Sequence, residues 1–401
     1  MRFSSRVPLA WLNLTHSKLR FLVSVLGITF AVVLMLVQLG FWRALLDSQT
    51  ALINKLDADL VLVSASLTTI TDPQSFPHDR VRQARAVAGV KSAKPLYVRY
   101  FPFMWKNRDG AAEVPEWPIR VVAVEPDRDA PAFRDDKMPG FATTQELLVS
   151  PRTALMDDLS KPTYDAIRQW RKGGSSPVGV EREVAGKSVQ IVGMFRLGTD
   201  FTTDGNLLMS ARNLADFVPD RAPLESVQIG LIKLEASADL RAVSAALRRT
   251  LPPDVRVLPL SDFAAEEEAF WTHSTPVGFI FMLGLAVGFI VGVVICYQVL
   301  STEVSDHLAE FATLKAVGYH DRYISGVVIR EALLLSLLGF AAGLAVGWPL
   351  YIVLGDRTGL PLQITLMRAG LILTLTVAMC VLSGIMALRR VRTADPAEVF
   401  G

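Results

Sequence analysis

A chain of 401 residues that is 51% hydrophobic and only 20% charged carries fewer charges than the ~25% of an average soluble domain. Forty-one Lys and Arg against 39 Asp and Glu leave a net charge of +2, so no basic excess points to nucleic acid. The two cysteines, Cys296 and Cys380, both fall in apolar runs, which excludes a disulfide framework and a cysteine-based zinc site.

In chain order, residues 1–20 carry Arg2, Arg6, Lys18 and Arg20 and no acid. Residues 21–41 follow without a single charge. The run is longer than the ~7–15-residue core of a signal peptide, and no A-x-A site follows it, so it reads as an uncleaved anchor. Three more uncharged runs come late, at 276–300, 332–354 and 369–388. Each has the ~20 residues that a ~30 Å hydrocarbon core demands. Lys315, Arg322 and Arg330 mark loop 301–331, and Arg389, Arg390 and Arg392 mark tail 389–401, whereas link 355–368 has only Arg357 and Arg368. The bias places both termini and loop 301–331 in the cytoplasm.

Residues 42–275 then form the extracytoplasmic part. From 43 to 275, 60 of 233 residues are charged, the proportion of an ordinary soluble domain. β-Branched, apolar and aromatic runs at 59–64, 96–105, 119–124, 189–195 and 227–234 predict strands, with an Asn107-Arg108-Asp109-Gly110 turn after the second. Segments 77–87, 211–217 and 238–251 predict helices, the last capped by Ser237 or Asp239. Residues 171–177 read as a loop tip, and an α+β domain of two lobes is expected. Helical stalks at 42–56 and 261–273 join it to the membrane. The fold class is therefore a membrane protein of four transmembrane helices, one plus three, with a large α+β domain between the first and second.

Within the spans, Gly284, Gly288 and Gly292 recur four apart, as do Gly339, Gly343 and Gly347. Such glycines line one helix face and admit a second backbone. They serve either ordinary bundle packing or a surface that slides. No Asp, Glu, Lys, Arg or His lies within any of the four runs, unlike the spans of ion-coupled transporters.

Nucleotide and catalytic motifs are absent. Gly186-Lys187-Ser188 lacks the upstream glycine of a phosphate loop, Glu181 occupying that position, and reads as a turn between strands. The five histidines show no HExxH spacing, and there is no G-x-S-x-G elbow. The acid pairs Asp135-Asp136 and Asp157-Asp158 read as solvated surface. No catalytic, metal-binding or cofactor-binding residue is expected.

Loop 301–331 is more informative. Leu300, Val304, Leu308 and Phe311 form an apolar stripe, and Glu303, Asp306 and Glu310 an acidic one. Lys315 and Gly318 suit a helix end, and Asp321 can cap the helix leading into the third span. These features predict a short helix flat on the membrane surface, either a re-entry segment or a coupling element.

Residues 310–319 (EFATLKAVGY) resemble the E-[IF]-[GA]-x-L-[KR]-A-[IVLM]-G signature of FtsX/MacB-type ABC permeases, and 389–400 (RRVRTADPAEVF) resemble their ending. The opening (PLAWLNL at 8–14, KLR at 18–20, QLGF at 38–41), with LGTDF at 197–201 and DGNL at 204–207, is similar to DevC-type permeases, named for heterocyst glycolipid export. The resemblance implies a non-catalytic permease with no cofactor of its own, ATP and Mg²⁺ being bound by a separate ABC ATPase. It implies a second copy or paired subunit, a membrane-fusion adaptor, a TolC-like outer-membrane channel and an inner-membrane location. ATP-driven motion of the spans would move the periplasmic domain, exporting a lipid, glycolipid or other amphiphile. Glu303, Glu310, Phe311, Leu314, Lys315, Gly318 and Tyr319 would be the ATPase-coupling residues. Within the same family, a lipoprotein-releasing or cell-wall-hydrolase-regulating permease is the alternative.

Overall fold

The computed structural model describes residues 18–100, 103–108, 115–218, 224–307 and 320–393, with the single residues 310, 313 and 317. The four apolar runs lie in helices longer than themselves: Lys18–Gln49, Pro276–Asp306, Asp321–Thr358 and Leu366–Thr393. Each contains a stretch long and apolar enough to cross a membrane. The chain divides into two compact units. One comprises residues 1–43, 276–356 and 362–401; the other comprises 44–275 together with 357–361.

The second unit is built on one sheet. Its strands in chain order are β1 (Leu60–Ser64), β2 (Phe76–Pro77), β3 (Val90–Arg99), β4 (Met104–Lys106), β5 (Glu116–Pro118), β6 (Arg120–Val124), β7 (Thr153–Asp157), β8 (Glu181–Val184), β9 (Lys187–Phe195), β10 (Asn206–Ser210), β11 (Ser226–Val227), β12 (Ile229–Leu234) and β13 (Val255–Pro259). Eleven of them pair in the order β13-β1-β12-β3-β6-β10-β7-β9-β8-β4-β5, with β2 and β11 pairing separately. The β6–β10 and β7–β9 pairs are parallel and the other neighbours antiparallel. The two expected lobes are thus replaced by one continuous sheet.

The expected strand 96–105 is two strands, β3 and β4. With β5 and β6 they make one long hairpin: Arg99 faces Val121, the Ile119 N–H donates to Phe103 O, and Lys106 faces Glu116. Its near part pairs with β10 and its far part with β8. The pairings therefore return on themselves through β6, β10, β7, β9, β8 and β4, curling this end of the sheet into a ring. Asp109 and Gly110 of the expected turn lie outside the described residues.

Both faces of the sheet are covered, because successive strand residues point to opposite sides and both are apolar in β1 and β6. Leu60 and Leu62 join a core containing Tyr97, Phe103, Trp105 and Tyr164; Val61 and Val63 join another containing Phe133, Phe141 and Phe263. The helices Asp79–Arg85, Ala211–Phe217 and Leu240–Thr250 pack on the first core. Asp239 caps the third, accepting from the Arg241 N–H. The second core takes in Leu52, Ile53 and Leu56 just after the first long helix, and Phe263 just before the second.

These connecting segments are less continuous than expected. The first helix stops at Gln49 and a 3₁₀ turn covers Ile53–Lys55. The other stalk is the helix Leu260–Ala269, a wider turn at Phe270–Ser274, then extended Thr275 at φ −115°. Pro276 explains that break, since proline drives its predecessor out of the helical region and is itself suited to a helix start. Glu267 fixes the stalk to the loop beside it, accepting from Thr69 Oγ1 (2.7 Å), the Ile70 N–H (2.9 Å) and Trp271 Nε1 (2.8 Å).

Gly186 lies in the expected turn between strands, and Lys187 and Ser188 open β9. Ala185 (φ 49°) and Gly186 (φ 75°) form the two-residue hairpin loop joining β8 to β9, in the twist-matched conformation that favours glycine.

A buried carboxylate closes the ring end. Asp165 opens the helix Asp165–Arg171 and accepts from Arg182 Nη2 (2.7 Å), the Arg108 N–H (3.1 Å) and Trp105 Nε1 (3.3 Å). Burial alone would raise its pKa, but the bonds from Arg182 and Arg108 outweigh it and hold the carboxyl below its ordinary range. A depressed folded pKa contributes stability above the unfolded value of ~3.9 and loses it as pH falls through the folded value. Asp165→Asn should therefore cost about 3 kcal/mol at pH 7, and the gap to wild type should begin to narrow below about pH 4. Denaturant titrations of both proteins at pH 7 and pH 3 measure it; a gap independent of pH would refute the assignment.

Candidate coupling site

In the first unit the two glycine series share one partner, the helix Lys18–Gln49. A Cβ at Gly284 would meet the Gln38 side chain, one at Gly288 would lie 3.3 Å from Met35 Cγ, and one at Gly292 would lie 3.0 Å from Ala31 Cβ. Gly27 likewise faces Ile295. The partner numbers fall as the glycine numbers rise, so the first and second helices are antiparallel. On the other side, Gly339 faces Ile28, Gly343 faces Val32 and Gly347 faces Leu36. Here both numbers rise together by four, so the first and third helices are parallel. The close approach is reinforced where Tyr351 OH donates to Leu36 O and crowds Gly40. The fourth helix packs on the second: Ser383 Oγ donates to Val293 O (2.8 Å), and Met379 touches the Gly292 face. Cys296 and Cys380 are buried and free. Both glycine faces are thus closed within one chain.

At the other end of the bundle the second membrane helix takes in the first residues of loop 301–331. Glu303 and Asp306 belong to the second membrane helix itself, which runs unbroken to Asp306. Leu300 and Val304 are buried, and Val304 packs with Val328 and Leu388, so burial carries the helix past the uncharged run. Thr302 and Ser305 donate to the carbonyls of Gln298 and Ser301 and follow the helix without breaking it. Asp306 pairs with Arg20 of the first helix, an exposed contact of small energetic weight. The third helix opens at Asp321, well ahead of its apolar run, with Glu331 buried just before that run. Glu303 is half-buried. Glu310 is exposed and pairs with His307 Nδ1 at 3.1 Å. Phe311, Leu314, Lys315, Gly318 and Tyr319 lie outside the described residues.

The intervening domain holds a polar centre that the sequence reading passed over. Asp157, expected on the surface, is fully buried at the end of β7. It accepts from the Leu159 (3.1 Å), Leu197 (3.0 Å) and Gly198 (2.9 Å) N–H groups and from Asn206 Nδ2 (2.6 Å). Burial pushes its carboxyl up, and these donors oppose the shift. Asn206 Oδ1 accepts from Arg120 Nε at 2.7 Å; Arg120 Nη1 reaches Asp200 at 2.5 Å and Tyr100 OH at 3.1 Å. The Arg120 and Asp200 side chains are 3% and 1% exposed. Despite burial, its neighbours Tyr100 and Asp200 hold Arg120 firmly charged. Asp200 Oδ1 in turn accepts from the Thr202 and Thr203 N–H groups, both at 2.8 Å. The 197–201 and 204–207 segments, singled out by resemblance, are therefore joined by hydrogen bonds to each other and to the end of β7. Asp158, by contrast, meets Arg196 at the surface. Among the described residues no group of three or more His, Cys, Asp or Glu could hold a metal ion.

Residues 279–396 match the family described as FtsX-like permease C-terminal. Among solved structures, the extracellular domain of the ABC-type transporter YknZ from Gram-positive bacteria is 13% identical. It has a TM-score of 0.32 and covers 50% of this chain and 98% of that one. The periplasmic region of MacB from Actinobacillus actinomycetemcomitans is 6% identical, with a TM-score of 0.35, covering 53% and 94% respectively. A comparison with curated protein sequences finds no match.

Proposed function

We propose that the chain is the non-catalytic permease subunit of an ABC exporter of the mechanical-transmission kind. The observation that carries this is the match of residues 279–396, three of the four membrane helices, to FtsX-like permeases. Three further features agree with it. Glycines bring the second and third helices into close contact with the first. A folded domain is inserted between the first and second helices. The segments that connect it to those helices are built into its core.

In this reading a separate ATPase binds ATP and Mg²⁺ and pushes on residues 303–318, with Glu310, Leu314 and Lys315 in contact. A second copy of the chain completes the bundle. The Lys/Arg bias puts both termini in the cytoplasm and the intervening domain in the periplasm, where it meets an adaptor leading to a TolC-like channel. The cargo is a lipid, glycolipid or comparable amphiphile taken up outside the bundle, as in the DevC-type permeases whose opening block the chain resembles. Purifying the tagged chain from cross-linked membranes, with mass spectrometry of what accompanies it, should yield an ABC ATPase and a membrane-fusion adaptor in near-stoichiometric amounts. Recovery of the chain without any ATPase would refute the reading.

A further inference from the structure

Residues 357–361 join the third membrane helix to the fourth, yet they form a compact unit with residues 44–275. A hydrogen bond ties them to it. The third helix ends at Thr358, and Gly359 follows at φ +73°, the left-handed stop that glycine supplies without strain. Its carbonyl accepts from Thr199 Oγ1 at 2.9 Å. A Cβ at Gly359 would lie 2.9 Å from that oxygen and 3.5 Å from Lys161 Cγ, so the position excludes a side chain on two grounds. Leu360 is buried next to it, and its N–H reaches Thr358 Oγ1 at 3.3 Å.

Thr199 lies between two residues that are tied to the sheet. The Gly198 N–H is held by Asp157, and Gly198 O accepts from Asn206 Nδ2 at 2.9 Å. On the other side Asp200 is locked to Arg120. A soft surface loop would absorb a displacement of the link; one anchored on both sides to the sheet passes it on.

We infer that Thr199 and Gly359 form a latch through which movement of the third and fourth membrane helices is delivered directly to the intervening domain. The first and second helices are continuous with that domain in sequence. The third and fourth are not, and the latch gives them a hold of their own. The inference rests on the permease reading.

The test uses the full chain with its co-purified ATPase in nanodiscs, followed by hydrogen-exchange mass spectrometry. Thr199→Val removes the donor while keeping the shape; Thr199→Ser keeps the donor. In Thr199→Val, exchange at the Gly359 and Leu360 amides should rise at least tenfold, while Thr199→Ser stays near wild type. Adding ATP with orthovanadate should change exchange at 196–206 in wild type and Thr199→Ser, and that change should shrink at least threefold in Thr199→Val. Unaltered exchange at Gly359 and Leu360 in Thr199→Val overturns the latch. Raised exchange there with an undiminished nucleotide response overturns its coupling role and leaves a merely structural bond. If no ATPase accompanies the chain, the permease reading and the coupling role both fall, and exchange on the isolated chain separates that failure from an error in the contact.

Discussion

Asp200→Asn should destabilise the intervening domain by about 3–5 kcal/mol, a large share of the ~5–15 kcal/mol that holds a typical domain folded. The replacement is nearly isosteric, and its oxygen can still accept from Thr202 and Thr203. What is lost is the charge opposite Arg120. That guanidinium is 3% exposed and stays protonated, so it cannot relieve its own burial by giving up a proton. Breaking one side of a buried pair costs more than the pair contributes, because it strands the other charge out of water. Arg120→Met/Asp200→Asn should therefore be more stable than Asp200→Asn alone, since no charge is stranded. Urea titration of the full chain in detergent, followed by tryptophan fluorescence, compares wild type, Asp200→Asn, Arg120→Met and the double variant. A cost for Asp200→Asn under 1 kcal/mol, or a double variant as unstable as the two single losses added, would show that the pair is solvated.

Why this centre escaped the sequence is instructive. Asp157-Asp158 looks like any acidic surface pair, and what buries Asp157 is a set of donors roughly 40 to 50 residues away, at Leu197, Gly198 and Asn206. No local pattern encodes that. Resemblance flagged the 197–207 segment as notable without saying why. The membrane helices were legible because an uncharged run of some 20 residues has few other solutions. Their ends were not, because tertiary burial of Leu300 and Val304 extends the second helix beyond its uncharged stretch. In the domain, β1, β6, β9 and β12 were visible as β-branched runs. The strands β7 (TALMD) and β10 (NLLMS) were missed, being rich in Ala, Leu and Met, which favour helix in isolation. Only pairing on both edges and burial on both faces makes them strands. The glycine spacing was plain, but its counterpart, Ile28, Val32 and Leu36 at the same spacing in the first helix, went unread.

That counterpart sets the second large effect, which depends on which side chain each glycine faces. Inside a membrane there is little hydrophobic gain in bringing helices together, so close van der Waals contact carries the association. Gly339 and Gly343 face Ile28 and Val32. Both are β-branched, and in a helix such side chains have essentially one χ1 rotamer, so they cannot swing away from an added methyl. The two backbones must separate instead. Gly339→Ala and Gly343→Ala should each cost about 1–3 kcal/mol of bundle stability. Gly284 faces the end of Gln38, and Gly347 faces the tip of Leu36; both neighbours are flexible, and alanine there should be felt far less. Gly288, 3.3 Å from the unbranched Met35, falls between. Gly370, with nothing within 4 Å of its Cβ position, is the control and should be neutral or slightly stabilising through helix propensity. Loss of folded protein with rising SDS in mixed micelles ranks the variants. The decisive step is the swap: Val32→Ala should restore most of what Gly343→Ala loses, because the methyl added on one helix then occupies the space vacated on the other, and such coupling appears only between groups in contact. Equal costs at Gly343, Gly284 and Gly370, or a double variant showing no recovery, would mean that the third helix does not ride on the first in this register.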